Sequence, residues 1–349
     1  MANIEIKNVK LSGISACVPV KSEENLDLKI FVNSDEAQKF IDSTGVERRR
    51  IADSQTTTLD LCFHATEKLI SDLKWDKSTI GCLIFVTQTP DYILPASSCI
   101  LQEKLQLKEE CYTLDISLGC SGWVYGMSVI TSLLSLGCIK RGLLLCGDTT
   151  LKPVSHKDKS AYPLFGDAGT ATAFEFEKGY PDIKFHLATD GSGYDAIIIP
   201  DGGFRNPFSE KSLQCEKIDD GIIRNRLHTI LNGMDVFSFG ISKVPQSVNK
   251  LLEFCGLERE VIDYVTFHQA NLFMNEKIRK KLKLLSEQVP YSLKNFGNTS
   301  SASIPLTMVT QLQKDLQSRH LKNIACGFGV GLSWGSVYFE TDCITVPAL

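Results

Sequence analysis

Several large classes of protein are excluded by what this chain does not contain. No apolar run approaches the roughly 18 residues needed to span a bilayer. The N-terminus, Met1-Ala-Asn-Ile-Glu-Ile-Lys-Asn, has neither the basic region nor the apolar stretch of a signal peptide. A basic excess is also missing: 37 Lys and Arg stand against 41 Asp and Glu, giving a net charge of -4, so no general field exists to hold a phosphate backbone and nucleic acid is not an expected partner. None of the twelve cysteines forms a Cys-x-x-Cys pair, and they are scattered through apolar stretches such as Gly81-Cys-Leu-Ile-Phe85. They read as reduced thiols packed as small hydrophobes, which implies a cytoplasmic location, and no metal is expected. A dinucleotide fingerprint is absent too, because Gly327-Phe-Gly-Val-Gly331 is not Gly-x-Gly-x-x-Gly and does not open a first βαβ unit.

What is present is a chain of 349 residues, 43% hydrophobic and 22% charged, long enough for two domains or one duplicated domain. Behind the capping residues Thr57 and Thr58, the spacing of Leu59, Cys62, Ala65, Leu69 and Leu73 predicts a helix. Continuous apolar runs predict buried strands over 80–87 and 142–147, with a further strand over 111–116 and a helix over 97–107 between them. A helix over 121–136 is apolar almost all round and is expected to be central. The second half repeats this order: strand over 263–267, helix over 272–284, strand over 289–293, helix over 303–316, strand over 323–327. The spacings agree as well, 34 positions from Val86 to Cys120 and 33 from Val265 to Asn298. An internal duplication follows, with halves 1–178 and 179–349 and with Cys120 and Asn298 at equivalent strand-to-helix turns. Ligands in open α/β sheets collect at the carboxyl ends of strands, so the site is expected where the halves meet. Part of 180–232 reads as an exposed excursion beside it.

Three segments carry the chemistry. Cys120 lies in Leu118-Gly-Cys-Ser-Gly122, directly ahead of the apolar helix, where amide dipoles favour a thiolate. His268 ends a buried strand in Phe267-His-Gln-Ala-Asn271. Asn298, in Gly297-Asn-Thr-Ser300, suits a turn or cap as well as a site. A thiol, an imidazole and a carboxamide are groups that acyl transfer through sulfur can use once a fold brings them together.

These segments, with Ser43-Thr-Gly-Val-Glu-Arg-Arg49, Phe165-Gly-Asp-Ala-Gly169, Ile304-Pro-Leu306 and Gly327-Phe-Gly-Val-Gly-Leu-Ser-Trp-Gly-Ser336, resemble the β-ketoacyl-acyl-carrier-protein synthase III family of thiolase-like condensing enzymes, from about Gly13 to Phe339. The resemblance implies a duplicated five-layered αβαβα fold, a homodimer, and Cys120 as acyl acceptor. It implies an acyl-CoA or acyl-carrier donor and a malonyl-acyl carrier protein that loses carbon dioxide. CoA or the carrier phosphopantetheine arm arrives with the substrate, so no resident cofactor is expected. The oxyanion would be held by the amide of Cys120 and the loop Gly329, Val330 and Gly331, and the enolate by His268 and Asn298.

The chain also departs from the family. Lys39 and Ser43 stand where a Trp and an Arg hold the adenine end of CoA, and Lys159 replaces an Arg. Phe273 replaces a basic carrier-contact residue, although Lys277, Lys280 and Lys281 follow on the same helix. Leu94 and Leu332 stand where bulky aromatics limit the acyl pocket. Ester- or amide-forming acyltransferases and plant-type polyketide synthases of the same fold remain open. A papain-type hydrolase shares the Cys, His, Asn order but needs a Cys near the N-terminus. Hydroxymethylglutaryl-CoA synthases need a Glu base where only Asp91 is acidic.

Overall fold

The structure is a computed structural model that describes residues 2–349. Two five-stranded sheets form its frame, built from β1 (Ala2–Ile6), β2 (Val9–Cys17), β3 (Ile80–Val86), β4 (Tyr112–Ile116), β5 (Arg141–Asp148), β6 (Ala168–Phe176), β7 (Ile183–Thr189), β8 (Tyr264–Phe267), β9 (His320–Gly329) and β10 (Ser333–Asp342). The first sheet has the order β2-β6-β5-β3-β4 and the second β1-β7-β10-β9-β8. In each half a parallel pair, β3 with β5 or β8 with β9, is followed by an antiparallel neighbour, β6 or β10.

The helices are α1 (Ser34–Thr44), α2 (Thr58–Leu73), α3 (Ser97–Lys104), α4 (Gly122–Ser135), α5 (Gly233–Cys255), α6 (Leu272–Lys281), α7 (Leu293–Phe296), α8 (Ser303–Gln311) and α9 (Gln313–Ser318). Thr57 and Asp60 close a capping box on α2, as the two threonines led one to expect. Leu59, Cys62 and Leu69 of α2 share one core with Leu83 and Phe85, on the outer side of the first sheet. Trp123, Val124, Met127, Ile130 and Leu134 of α4 are wholly buried, in one cluster with Ile304, Met308 and Val309 of α8 and the inner faces of both sheets. Burying each such side chain contributes about 1.5–3 kcal/mol. Helices α5 and α6 cover the far face of the second sheet. The layers are therefore α, β, α, β, α, with α4 and α8 in the middle.

The predicted strand over 289–293 does not form. Pro290 offers no N–H to a ladder, and the Ser292 amide donates instead to Gln269 Oε1 at 3.0 Å. The second sheet regains a fifth strand from the opposite end of the chain, because β1 pairs antiparallel with β7. At the other terminus the Thr345 amide donates to Ser12 and its carbonyl accepts from Ile14. Both termini thus cross the division at residue 178. The helix expected over 303–316 breaks at Leu312 into α8 and α9. Among the described residues no helix is long and apolar enough to cross a membrane.

Candidate active site

The turns that precede α4 and α8 meet at the centre. A methyl group at Gly122 would meet Val86 Cγ1 at 2.6 Å and one at Gly119 would meet Gln88 Oε1 at 2.3 Å, with Ser301 and Ser300 of the facing turn at 3.4 and 3.2 Å, so glycine is what lets the Cys120 turn pack this closely. Beside them opens a cavity of about 390 Å³ whose wall includes Cys120, His268 and Asn298. The three residues singled out in the sequence come together there.

Cys120 lies one residue outside the cap of α4, since Ser121 is the N-cap. The amides of Val330 and of Cys120 itself favour its ionised form. The backbone of Gly329 presses so close that a methyl group there would lie 2.8 Å from Sγ. The expected thiolate is corrected by this packing: burial pushes the thiol up to about 12, against the pull of the Val330 amide and the Ser300 hydroxyl. Burial thus favours a neutral thiol at rest.

His268 follows β8, its amide donating to Cys326 and its carbonyl accepting from Asn275 Nδ2. The ring stands edge-on to Phe328, with centroids 5.5 Å apart. Nδ1 lies 2.7 Å from Ser303 Oγ, which also accepts from the Gln269 amide. A Ser303 hydroxyl that donates to Nδ1 leaves the ring proton on Nε2, the tautomer that presents a donor to the cavity. Burial lowers the imidazole to about 3, so it is neutral, a hydrogen-bond donor without charge.

Asn298 combines the two roles weighed for it. Its Oδ1 accepts from the Ser300 amide at 2.9 Å, which closes the turn and leaves the Nδ2 donors for the cavity. The backbone is strapped to the Phe165-Gly-Asp segment: Asn298 donates to the Leu164 carbonyl, and Gly166 donates to the Asn298 carbonyl. Beneath the strap lies wholly buried Arg49, donating to Asn25 Oδ1 and to the Tyr162 carbonyl. The motif around Arg49 therefore supports Asn298.

Other expected site residues fare differently. Gly329 and Val330 line the cavity, but Gly331 does not: it turns away at φ 72° with open space around it. Leu94 is 82% exposed and Leu332 packs over Gly193, so neither borders the cavity in this chain. Lys159 is held by Glu36 at 2.8 Å, away from the cavity wall. Phe273 is half exposed, stacked on Phe237 and overlain by Lys277 at 5.3 Å. It adjoins Asn271 and Met274 of the cavity wall, which puts this group beside the mouth. Lys281 donates to the Ile241 carbonyl, and Lys280 lies on the same helix. Lys39 and Ser43 are exposed on α1.

Sequence reasoning passed over several residues of the site. The excursion folds back as a roof, its short strands Ile197–Ile198 and Ile230–Leu231 paired over the cavity, with Ile199 and Thr229 beside them. The run of three isoleucines was its one visible sign. Asp148, at the end of apolar β5, is buried at the cavity wall. A lone charge closing an apolar strand was the clue to it.

Residues 114–191 match the family model described as 3-oxoacyl-[acyl-carrier-protein] synthase III, and residues 252–341 match that for its C-terminal part. The β-ketoacyl-[acyl-carrier-protein] synthase III of Caldanaerobacter subterraneus is 32% identical over 93% of this chain and 95% of its own length. That of Clostridium acetobutylicum is 33% identical over 96% of this chain and 99% of its own. Among solved structures, a 3-oxoacyl-(acyl-carrier protein) synthase of Burkholderia xenovorans superposes with a TM-score of 0.93 at 37% identity, covering 100% of this chain and 98% of that one.

Proposed function

The chain belongs to the 3-oxoacyl-[acyl-carrier-protein] synthase III family, and from that premise we propose that it joins an acyl thioester to malonyl-acyl carrier protein by way of an acyl-Cys120 intermediate. The observation that carries the reading is the convergence of Cys120, neutral His268 and the Asn298 amide on one largely apolar cavity. In the first half-reaction, Cys120 Sγ attacks the thioester carbonyl and CoA leaves. The amides of Cys120 and Val330, on the backbone segments that border the sulfur, would hold the tetrahedral oxyanion.

In the second half-reaction the malonyl thioester loses carbon dioxide, and negative charge builds on its carbonyl oxygen. His268 Nε2–H and Asn298 Nδ2–H meet that charge as neutral donors. The carbanion attacks the acyl group and releases the β-ketoacyl product. No resident cofactor is needed, because the carrier arm enters with the substrate. Phe273, Lys277 and Lys280 beside the mouth would receive an acidic carrier. Lys39, Ser43 and Lys159 give a CoA grip unlike the family's usual one, so the donor is an acyl-CoA held differently or an acyl carrier.

The exposed apolar run Tyr92-Ile93-Leu94 supports a homodimer in which a second copy covers it. Leu94 would then enter an acyl pocket only in the assembled dimer. The free cysteines suit a reducing compartment such as the cytoplasm. The test is to supply malonyl-acyl carrier protein with a series of acyl-CoAs and acyl carriers and identify products by mass. A β-ketoacyl carrier is expected; hydrolysis to free acid alone would overturn the reading.

A further inference from the structure

The cavity wall is largely apolar, yet two of its hydroxyl groups answer to nothing in the chain. Thr150 and Thr229 both line it. The Thr229 amide donates to the carbonyl of Pro153 at 2.8 Å, and Pro153 itself borders the cavity shortly after Thr150, so this bond brings the two threonines to one side. Thr229 is 9% exposed, and among the described residues its hydroxyl has no hydrogen-bond partner. Thr150 Oγ1 is buried and equally without one. Rotation about χ1 exchanges that hydroxyl with the methyl group of the same side chain, so either can face the cavity. Their polar neighbours Asp148 and Thr89 are already engaged: Asp148 accepts from the Gln88 and Ser301 amides and from the Thr87, Thr89 and Ser301 hydroxyls, and Thr89 Oγ1 receives the Thr149 amide. A hydroxyl buried without a partner costs free energy that a bonded one does not. Two of them on one ligand wall mark the place of a polar atom supplied from outside the chain.

The rest of the wall decides what that atom is. No Lys or Arg lines the cavity, so a carboxylate or phosphate there would lack a counter-charge. Each threonine hydroxyl both donates and accepts, which suits a neutral group that does the same. Ile197, Ile198, Leu231 and Val236 give an apolar surface to the chain that carries it. Position tells which part of the donor is read. The carrier arm enters by the mouth beside Asn271 and Met274, whereas Thr150 follows Asp148, whose carboxyl ties together Gln88 and Ser301, the residues against which Gly119 and Gly122 of the Cys120 turn pack. The two hydroxyls therefore address the acyl chain. We propose that Thr150 and Thr229 select a hydroxyacyl thioester, a donor whose acyl chain bears a neutral hydroxyl group; this rests on the acyl-Cys120 reading and names the substrate class of that site. The substrate hydroxyl donates to one threonine, accepts from the other and keeps its proton throughout. The bonds made and broken remain those at Cys120.

Matched acyl-CoAs and acyl carriers test the selection: butanoyl against β-hydroxybutanoyl, and hexanoyl against its β- and ω-hydroxy derivatives. The rate of Cys120 acylation is read by intact mass, and affinity is read by calorimetry on Cys120→Ala, which cannot consume the thioester. At least one hydroxyacyl donor should exceed its unsubstituted partner by about 10- to 100-fold in both. Thr150→Val and Thr229→Val, each alone and combined with Cys120→Ala, keep the branched shape and remove the hydroxyl. Each should cut the preference by about tenfold and improve binding of the unsubstituted chain, while Thr229→Ser should retain the preference. Hydroxyacyl donors that do no better than plain ones in the wild type, or a preference that survives both valine variants, would overturn the assignment, solvent then sufficing for both hydroxyls. A hydroxyl preference in binding to Cys120→Ala with no acylation of the wild type by any donor sinks the acyl-Cys120 reading and leaves the selection standing. Condensation of unsubstituted chains at undiminished efficiency does the reverse.

Discussion

Two glycines, two positions apart, should respond in opposite ways to the addition of one methyl group. At Gly329 the added carbon would lie 2.6 Å from Cys120 Cβ and 2.8 Å from Sγ. Carbon atoms in contact prefer about 3.5–4.0 Å, so the cysteine must give way by about 1 Å. The neighbouring Val330 amide, which favours the ionised sulfur, then shifts relative to it. Misplacement on this scale costs about 100-fold in rate, while overpacking costs about 1–3 kcal/mol of stability. At Gly331, by contrast, a methyl group meets nothing within 4 Å; only the left-handed φ of 72° opposes it, at about 1 kcal/mol. The assay is the single-turnover rate of acyl transfer to Cys120, read by intact mass, with thermal melting as the control. Gly329→Ala should acylate about 100-fold slower and Gly331→Ala within about threefold of wild type. Acylation of Gly329→Ala at the wild-type rate would refute the packing of this loop on the sulfur.

Asn298→Asp places an anion where the enolate forms, so decarboxylation should fall by about 100- to 1000-fold while acylation of Cys120 stays measurable, as separate assays of carbon dioxide and acyl-enzyme would show. Arg49→Met strands Asn25 and the Tyr162 carbonyl beneath the Asn298 strap; denaturant unfolding should show a loss of about 3–5 kcal/mol. The His268 imidazole, lowered to about 3 from an ordinary 6.5, is neutral down to pH 5, so carbon dioxide release by preacylated enzyme should not titrate near 6.5. Between 6.5 and 3 the unfolded chain binds a proton at this position that the folded chain refuses. This group therefore makes stability fall as pH falls through that window, and His268→Asn should flatten the dependence in melting experiments.

Much of the frame was legible in the sequence because its signals are local. The apolar runs of β3 and β5 and the all-round apolar face of α4 state their burial directly, and the repeated spacing betrayed the second half. Elsewhere long-range contacts decide. Helix α5 escaped notice because Pro245 interrupts its pattern, while packing on the second sheet sustains it. The strand over 289–293 looked plausible until Gln269 claimed the Ser292 amide. The three candidate site residues could be named from their motifs, but their ionisation could not, because it depends on how completely the roof and the 329–330 loop exclude water. That is why a dipole argument favoured a thiolate at Cys120 and the packed site holds a thiol. Leu332 is apolar and near the loop in sequence, yet its side chain turns toward Gly193.

The central claim is tested most directly by the mass of the protein itself through one catalytic cycle. After incubation with a competent acyl donor, the chain should gain one acyl group, mapped to the Cys120 peptide and absent from Cys120→Ala. Addition of malonyl-acyl carrier protein should then restore the original mass, with one carbon dioxide and one β-ketoacyl carrier formed per acyl group lost. An adduct that survives in Cys120→Ala, or one that malonyl-acyl carrier protein fails to discharge, would contradict the account.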